Sequence, residues 1–274
     1  MVHTTARFAL LASLACAMLA LEVRVLAQET DQEVMELLTQ AARASQQKNH
    51  QQAIDLLDDA AKKAPKNAIT YYLRGRENFC AGNVKRSVAD LDKYIELEPM
   101  AASRQWERGI SYYYAGEYEK GAKQFELYQT YHDKDVENST WRYLCIAAKD
   151  GVDAAQKTML PIEGDNRVPM KQIYDLYRGE AKPDDVLSAV EVDNPTANEK
   201  NKRLFYAHLY LGLWYQAADK RDLAKKHILE AEKHKIGHYM WDVAHVHADL
   251  LRAEDKDQEK QPAKDAPKDA PKEK

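Results

Sequence analysis

Apolar residues and turn formers recur along the chain with a period of 34 residues. The landmark pairs at this spacing are Pro65 and Pro99, Gly75 and Gly109, Gly82 and Gly116, Leu91 and Phe125, and Tyr94 and Tyr128. Several pairs at one spacing indicate an internal repeat. Between the turn formers, apolar residues follow a helical period, so each unit predicts two helices joined by a turn.

The small and helix-breaking residues each have a structural reason. A small residue in the first helix of a unit lets the second helix cross closely, and these residues are Ala41, Gly75, Gly109 and Gly212. Gly82 and Gly116 are predicted to end first helices in the left-handed conformation, which glycine adopts at little cost. Pro65 and Pro99 stop second helices because proline lacks a backbone donor. Period and residue types together resemble the tetratricopeptide repeat (TPR).

The predicted fold class is all-α: a TPR superhelix, or α-solenoid of antiparallel helix pairs, with a degenerate middle section and a C-terminal capping helix. The predicted units span about 34–67, 68–101, 102–135, a degenerate 138–192, and 205–238. The degenerate section contains a loop from Pro161 to Val168, followed by two short helices. The capping helix is predicted from His238 to Leu251.

The two ends of the chain differ from the repeats. Residues 1–27 have the charged, apolar and small-residue order of a secretory signal, with cleavage expected after Ala27. A retained membrane anchor is the alternative, although the apolar stretch is shorter than the roughly 20 residues that a span needs. The helical domain is predicted over 28–253. Residues 254–274, rich in Lys, Asp, Ala and Pro, are predicted to be a disordered tail or a tether.

Charge and cysteine content exclude two classes of protein. Without residues 1–27 the chain has 38 basic and 43 acidic residues, a net charge of −5. This balance argues against a dedicated nucleic-acid binder, which would carry a basic excess. Cys80 and Cys145 lie among apolar residues and are too few for a disulfide framework. We interpret both as small buried hydrophobic residues.

No sequence motif predicts catalysis, a cofactor or a metal site. The chain has no Gly-rich phosphate loop after a strand, no Gly-x-Ser-x-Gly and no His-Glu-x-x-His. Five histidines crowd the end of the helical domain: His227, His234, His238, His245 and His247. They lack a cysteine or carboxylate at ligand spacing, so we interpret them as surface or interface residues.

The TPR resemblance implies which residues face the concave groove. The groove-lining positions on the first helices of the second and third units hold Ile69, Tyr72, Arg76, Phe79, Trp106, Ile110 and Tyr113. Large apolar and aromatic groups with one arginine are typical of a partner-binding surface. If the frame is displaced by one residue, the same side chains belong to the core, and the sequence leaves both interpretations open.

The order of close repeats, a degenerate middle and a last good repeat resembles the new lipoprotein I (NlpI-like) family of envelope TPR proteins over most of residues 35–252. The residues that carry the resemblance are Trp141 to Leu144, Ile173, Tyr174, Tyr177, Gly179, Phe205, Tyr206 and Tyr210 to Tyr215. The resemblance implies an envelope adaptor that docks a processing protease and peptidoglycan hydrolases and forms a homodimer. Ser13 stands where a lipobox before Cys16 requires Leu. We therefore prefer soluble export to the periplasm or envelope over a lipid anchor.

These features predict an exported scaffold, not an enzyme. Its expected partners are other proteins held in the helical groove, with no nucleic acid and no small-molecule cofactor. The alternative is a structural subunit that binds wall or export polysaccharide through its Tyr and Trp side chains. A secreted enzyme of unrecognised type is the third alternative.

Overall fold

The computed structural model of the protein describes residues 31–260, with side chains described through 257. The predicted secretory signal and residues 261–274 of the predicted tail lie outside the described residues. Helices and turns account for the described chain, in which no residue is in a β-strand. The chain divides into two compact units. We name Met1–Ala102 the N-terminal unit and Ser103–Lys274 the C-terminal unit.

The N-terminal unit contains two helix pairs. Its helices are α1 over residues 31–46, α2 His50–Lys63, α3 Ala68–Cys80 and α4 Val84–Leu97. A 3₁₀ helix, Pro99–Arg104, follows α4. Small and large side chains interlock between α1 and α2, where Ala41 and Leu57 belong to one buried cluster.

The C-terminal unit contains the remaining nine helices of the described chain. They are α5 Trp106–Tyr114, α6 Tyr118–Gln129, α7 Val136–Asp150, α8 Val152–Lys157, α9 Met170–Arg178, α10 Pro183–Ala189, α11 Ala197–Ala217, α12 Arg221–Lys233 and α13 Tyr239–Lys260. The predicted all-α fold of TPR helix pairs is confirmed.

The close helix crossings fall where the repeat predicts them. A Cβ atom placed on Gly109 would lie 2.6 Å from Cζ of Phe125, and one on Gly75 would lie 2.8 Å from Cγ of Leu91. Gly212 repeats this arrangement against Ile228 at 2.7 Å. Only a residue without a side chain permits such approaches, so the prediction that Gly75, Gly109 and Gly212 lie at close helix crossings is confirmed. Both turn glycines of the second and third units adopt φ of +76°, as predicted.

An arginine ladder, which sequence analysis missed, follows the same period. Its members, Arg74, Arg108 and Arg142, lie 34 residues apart. Each arginine donates a hydrogen bond to the residue 16 positions later in the chain. Arg74 donates to Asp90 and Arg108 to Gln124, both on second helices, and Arg142 donates to the carbonyl oxygen of Thr158, just after α8. Charged side chains therefore join the two helices of a unit beside the glycine contact.

The regular repeat breaks after α7. The second helix of this unit, α8, ends at Lys157, and no helix forms again until Met170. Pro161 and Pro169 bracket most of this interval, and neither can donate a backbone hydrogen bond. The shortened helix and the loop open space next to α7, which positions the candidate site.

The last helix extends beyond its predicted end. We placed the start of a disordered tail at residue 254, but α13 continues to Lys260. Asp255 on this extension accepts hydrogen bonds from Lys225 at 2.5 Å and Arg221 at 3.5 Å on α12. These ion pairs anchor a segment that lacks apolar residues, so residues 254–260 are corrected from tail to helix.

Candidate functional site

Three of the predicted groove residues of the N-terminal unit lie together on α3, one exposed and two partly buried. Ile69 is 44% exposed. The guanidinium of Arg76 donates a hydrogen bond to the Tyr72 hydroxyl at 3.0 Å and lies 5.5 Å from the ring centre. The Tyr72 ring also packs 5.2 Å from Tyr94 on α4. Stacking and hydrogen bonding therefore hold Tyr72 and Arg76 in one arrangement beside the exposed Ile69.

The strip continues one repeat earlier. Met35 on α1 precedes Ile69 by 34 residues, so it occupies the same position of its unit, and it is 60% exposed. Single exposed apolar side chains are common on protein surfaces, but here the same position of two successive repeats is apolar and exposed, which is what a binding surface along the repeats requires. We name the set Met35, Ile69, Tyr72 and Arg76 the first-helix strip.

Phe79 does not belong to this strip. Its side chain is fully buried. Phe79 follows Gly75 by four residues, so both lie on the helix face that packs against α4. The prediction that Phe79 faces a partner is therefore wrong, and the residue is part of the core.

Two of the three predicted residues on α5 are also core residues. Ile110 is fully buried, because α5 packs against both α6 and α7. The Tyr113 ring packs against Tyr114, Tyr118 and Trp141 at centroid distances of 5.3, 5.8 and 5.5 Å. Burial raises the pKa of the Tyr113 phenol well above its ordinary value. Ile110 is corrected from partner-binding to core, and Tyr113 contributes mainly to packing.

Trp106, at the start of α5, has a different environment. It is half-buried and stacks on His238 at 6.1 Å, while the Tyr239 ring meets it edge-on at 5.6 Å. Farther along α5, the Tyr114 hydroxyl lies 2.8 Å from Nδ1 of His247. The C-terminal helix α13 and the residue before it therefore contact α5 as well as α12.

Trp106 lines a cavity of about 160 Å³ in the C-terminal unit, which we name the α7 cavity. Its aromatic walls are Trp106, Phe125, Tyr128, Trp141 and Tyr206. Its polar residues are Asp135, Glu137, Asn138, Arg167 and His238, and Met240 completes the lining. Aromatic walls with a few converging polar groups are the usual composition of a binding pocket.

A charged cluster forms one side of the α7 cavity, at the beginning of α7. The Arg167 guanidinium lies 2.6 Å from Asp135, 2.7 Å from Glu137 and 2.6 Å from Asp165. Asp135 caps α7 by accepting from the backbone N–H of Glu137 at 3.1 Å, and Asp165 accepts from Val136 N–H at 3.2 Å. The free N–H groups of a helix start favour these carboxylates.

Glu137 is the most perturbed carboxyl of this cluster. Burial, followed by repulsion from Asp135, raises the pKa of Glu137 to about 7. Arg167 and a hydrogen bond donated by the Tyr210 hydroxyl at 2.7 Å oppose this rise. A carboxyl that titrates near neutral pH beside a cavity is typical of a functional position.

Two buried polar atoms of the cavity residues have no hydrogen-bond partner in the described chain. They are Oδ1 of Asn138 and Nε1 of Trp141, on side chains that are each 2% exposed as residues. The Asn138 amide nitrogen donates to Gln129 at 2.7 Å, and Gln129 donates in turn to two backbone carbonyls. This network fixes which atom of Asn138 is left without a partner, and such atoms are uncommon in protein interiors.

Of the cavity residues, only Trp106 was predicted from the sequence to be a site residue. The loop over 161–168, which carries Asp165 and Arg167, was predicted as a loop without a role. A long polar loop inside a stack of short turns is a signal of function. The packing of this loop against the start of α7 could not be predicted from spacing, because the loop lies in the degenerate section 138–192, where the 34-residue period is lost.

Two of the five histidines near the end of the helical domain are more buried than predicted. His227 and His247 are buried rather than on the surface, and the rings of His208 and His227 pack together with their Nδ1 atoms 2.9 Å apart. Burial lowers the pKa of His208 and of His247 to about 4. Among residues 31–257, no group of three or more His, Cys, Asp or Glu side chains is arranged to hold a metal ion.

Comparisons with known proteins find distant similarity. No family model matches the chain. A bovine protein named Protein SGT1 homolog is 26% identical over 155 residues, which cover 55% of this chain and 42% of that protein. The crystal structure of yeast Tom70 aligns with a TM-score of 0.32 and 16% identity, over 74% of this chain and 44% of Tom70. The chain thus spans less than half the length of either protein.

Among residues 31–260, no helix has both the length and the apolar character needed to cross a bilayer. The 34-residue period, the helix pairs and the glycine contacts at their crossings make this chain a helical repeat protein of the tetratricopeptide type.

Proposed function

We propose that this chain is a scaffold that binds other proteins along the first helices of its repeats. The observation that carries the proposal is the first-helix strip, in which Met35 and Ile69 lie one repeat apart and are both exposed. Next to Ile69, the Tyr72 and Arg76 side chains are held together. Exposed apolar groups flanked by ordered Tyr and Arg have the composition of interaction hot spots.

A polypeptide partner fits this surface better than a small molecule does. The strip is an exposed line, not an enclosed cavity, and its apolar groups repeat with the helix pairs. An extended or helical partner segment can contact successive units at once, which is how stacked repeats present long binding surfaces.

We further propose that the scaffold works in the bacterial cell envelope and holds a protease or a peptidoglycan hydrolase. The signal-like residues 1–27 and the resemblance to the NlpI-like family support this placement. Intact-mass measurement of the native protein tests it directly. A mature chain that begins at Gln28 without lipid is expected, whereas retention of residues 1–27 would contradict this proposal. A lipid on Cys16 would keep the protein in the envelope but would contradict its release as a soluble chain.

Site-specific photo-crosslinking of the full chain in bacterial envelope preparations tests the binding surface. We expect p-benzoylphenylalanine at Ile69 to capture a protease or a wall hydrolase, and Tyr72→Ala to reduce that capture. The same probe at Leu223, a 39% exposed residue of α12, is the matched control. Equal products from both positions, or capture of cytoplasmic proteins alone, would contradict the proposal. Retention of wall glycan without a crosslinked protein would favour the polysaccharide-binding alternative.

A further inference from the structure

We infer that the α7 cavity receives a cationic side chain, lysine or arginine, from a protein bound to the scaffold. This inference rests on the proposed scaffold function and names the chemistry that one part of the molecule recognises. A cavity of about 160 Å³ is close to the volume that holds a benzene molecule in a protein core, roughly 150 Å³. One long side chain therefore fits.

The fixed charge of the cavity wall favours a cation. Three carboxylates, Asp135, Glu137 and Asp165, surround the single guanidinium of Arg167. When all three are ionised, the cluster retains two negative charges. Bringing an ammonium or guanidinium next to this excess is favourable at the low effective dielectric of a half-enclosed site.

The aromatic walls favour the same class of ligand. Trp106, Tyr128, Trp141 and Tyr206 line the cavity beside the charged cluster. Lysine and arginine bind aromatic faces through the ring quadrupole while their methylene groups contact apolar surface. A purely apolar side chain would gain from the walls but would leave the charge excess of the cluster unpaired.

The unpartnered oxygen of Asn138 adds a specific acceptor. Its orientation is fixed because the amide nitrogen of Asn138 is engaged by Gln129. An incoming N–H donor would satisfy this buried oxygen, and both lysine and arginine carry several such donors.

A carboxylate ligand bound to Arg167 is the competing chemistry, and the contacts disfavour it. Arg167 already donates four hydrogen bonds, two to Asp165 and one each to Asp135 and Glu137. A guanidinium has five N–H donors. An incoming carboxylate would therefore find almost no free donor on Arg167. The unpartnered indole N–H of Trp141 would offer it one hydrogen bond, but the carboxylate would meet three negative groups.

The test compares three capped amino acids of similar length on the full-length protein. The probes are N-acetyl-lysine methylamide, its uncharged analogue with norleucine, and its anionic analogue with glutamate. Binding is followed by the indole N–H signals in ¹⁵N NMR spectra, because Trp106 and Trp141 line the cavity and Trp214 and Trp241 do not. Trp214→Phe and Trp241→Phe variants identify the two outside signals.

We expect the lysine probe to shift the Trp106 and Trp141 signals selectively. At pH 8, where Glu137 is ionised, Glu137→Gln should weaken this binding roughly tenfold, because it removes one unit charge at close range. The matched control, Glu163→Gln, removes an exposed carboxylate from the same loop as Asp165 without touching the cavity, and should leave binding unchanged.

Equal binding of lysine and norleucine probes, preferential binding of the glutamate probe, or no shift with any probe would each overturn the inference. The probe series on the unaltered chain decides the matter even if Glu137→Gln does not fold. Its failure would leave crosslinking from Ile69 unaffected, since that residue lies in the N-terminal unit. The scaffold proposal and the cation inference can therefore fail separately.

Discussion

The second repeat and the interrupted section after α7 both place one arginine among carboxylates, with different results. In the second repeat, Arg74 bridges Asp58 and Asp90 at 2.8 and 2.5 Å, and Asn78 also donates to Asp90. In the interrupted section, Arg167 faces three carboxylates beside a cavity. The regular unit uses charge to join its helices. The interrupted unit has more carboxylates than its arginine neutralises, and these lie beside a cavity.

The difference follows from the length of the second helix. In the second repeat, α4 runs from Val84 to Leu97 and covers the first helix along its length. After α7, the second helix α8 has only six residues, and the chain continues as an irregular loop. That loop brings Asp165 and Arg167 back to the start of α7. A cavity with a charged wall has therefore formed where regular packing stops.

The largest expected effect concerns two tryptophans of the α7 cavity that differ in burial. Trp141 is 2% exposed and packs against Phe125 and Tyr113. Trp141→Ala should lower the free energy of unfolding by about 3–5 kcal/mol, as expected for a buried aromatic residue. Trp106→Ala, at the half-buried edge, should cost about 1–2 kcal/mol. Chemical denaturation measures both.

The two substitutions also separate packing from binding. Trp106→Ala should weaken binding of the lysine probe in a protein that remains folded. If Trp106→Ala destabilises the fold as much as Trp141→Ala and the folded variant binds the probe normally, Trp106 is a core residue and not a wall of the binding cavity.

The next effect tests the helix crossings of the regular repeats. Gly109→Leu should cost about 1–3 kcal/mol because the new side chain must displace the buried Phe125 ring. Gly237→Leu is the control, since a Cβ there meets no atom within 4 Å, and its effect should stay within about 0.5 kcal/mol. An unchanged denaturation midpoint for Gly109→Leu would mean that α5 and α6 do not cross at this residue.

The interrupted section is also expected to differ from the regular repeats in how its stability depends on pH. The folded-state pKa of Glu137 is about 7, above its ordinary value of 4.5. Glu137 therefore contributes a stability that is present below pH 4.5 and is lost as the pH rises through 7. Glutamine mimics the protonated form, so Glu137→Gln should gain roughly 2–3 kcal/mol relative to the unaltered chain between about pH 5 and pH 8.

Denaturation curves of both proteins at the two pH values measure this change. Titrating groups distant from Glu137 are common to both proteins and cancel in the difference, whereas the groups next to Glu137 interact with its charge and contribute to the difference. The neighbours of Glu137 are Asp135, Asp165, Arg167, Tyr206 and Tyr210. A difference that does not vary with pH would show that Glu137 keeps an ordinary pKa in the folded protein.

The sequence predicted the fold well because period and residue size encode the helix crossings locally. Gly75 and Gly109 identified both the frame and the contacts made by their units. The same repeat frame led to the wrong prediction for Phe79 and Ile110, which are buried. The frame predicts which face of a helix is directed toward the groove, but not which neighbouring side chains cover that face. The α7 cavity depends on a loop outside the repeat and on α13 contacting α5. Neither of these contacts has a signal in the spacing of residues.

The smallest expected effect compares two members of the arginine ladder. Arg74→Met removes the arginine that contacts the nearly buried Asp90, and should cost about 1 kcal/mol because that carboxylate keeps fewer hydrogen bonds. Arg142→Met should cost less, about 0.5 kcal/mol, because its partner Glu126 is 49% exposed and remains solvated. Both variants keep the unbranched apolar stem, so denaturation midpoints compare the loss of the charge itself. A larger loss for Arg142→Met would mean that the hydrogen bond from Arg142 to the Thr158 carbonyl, where α8 ends, stabilises the interrupted section more than the ion pairs stabilise the regular one.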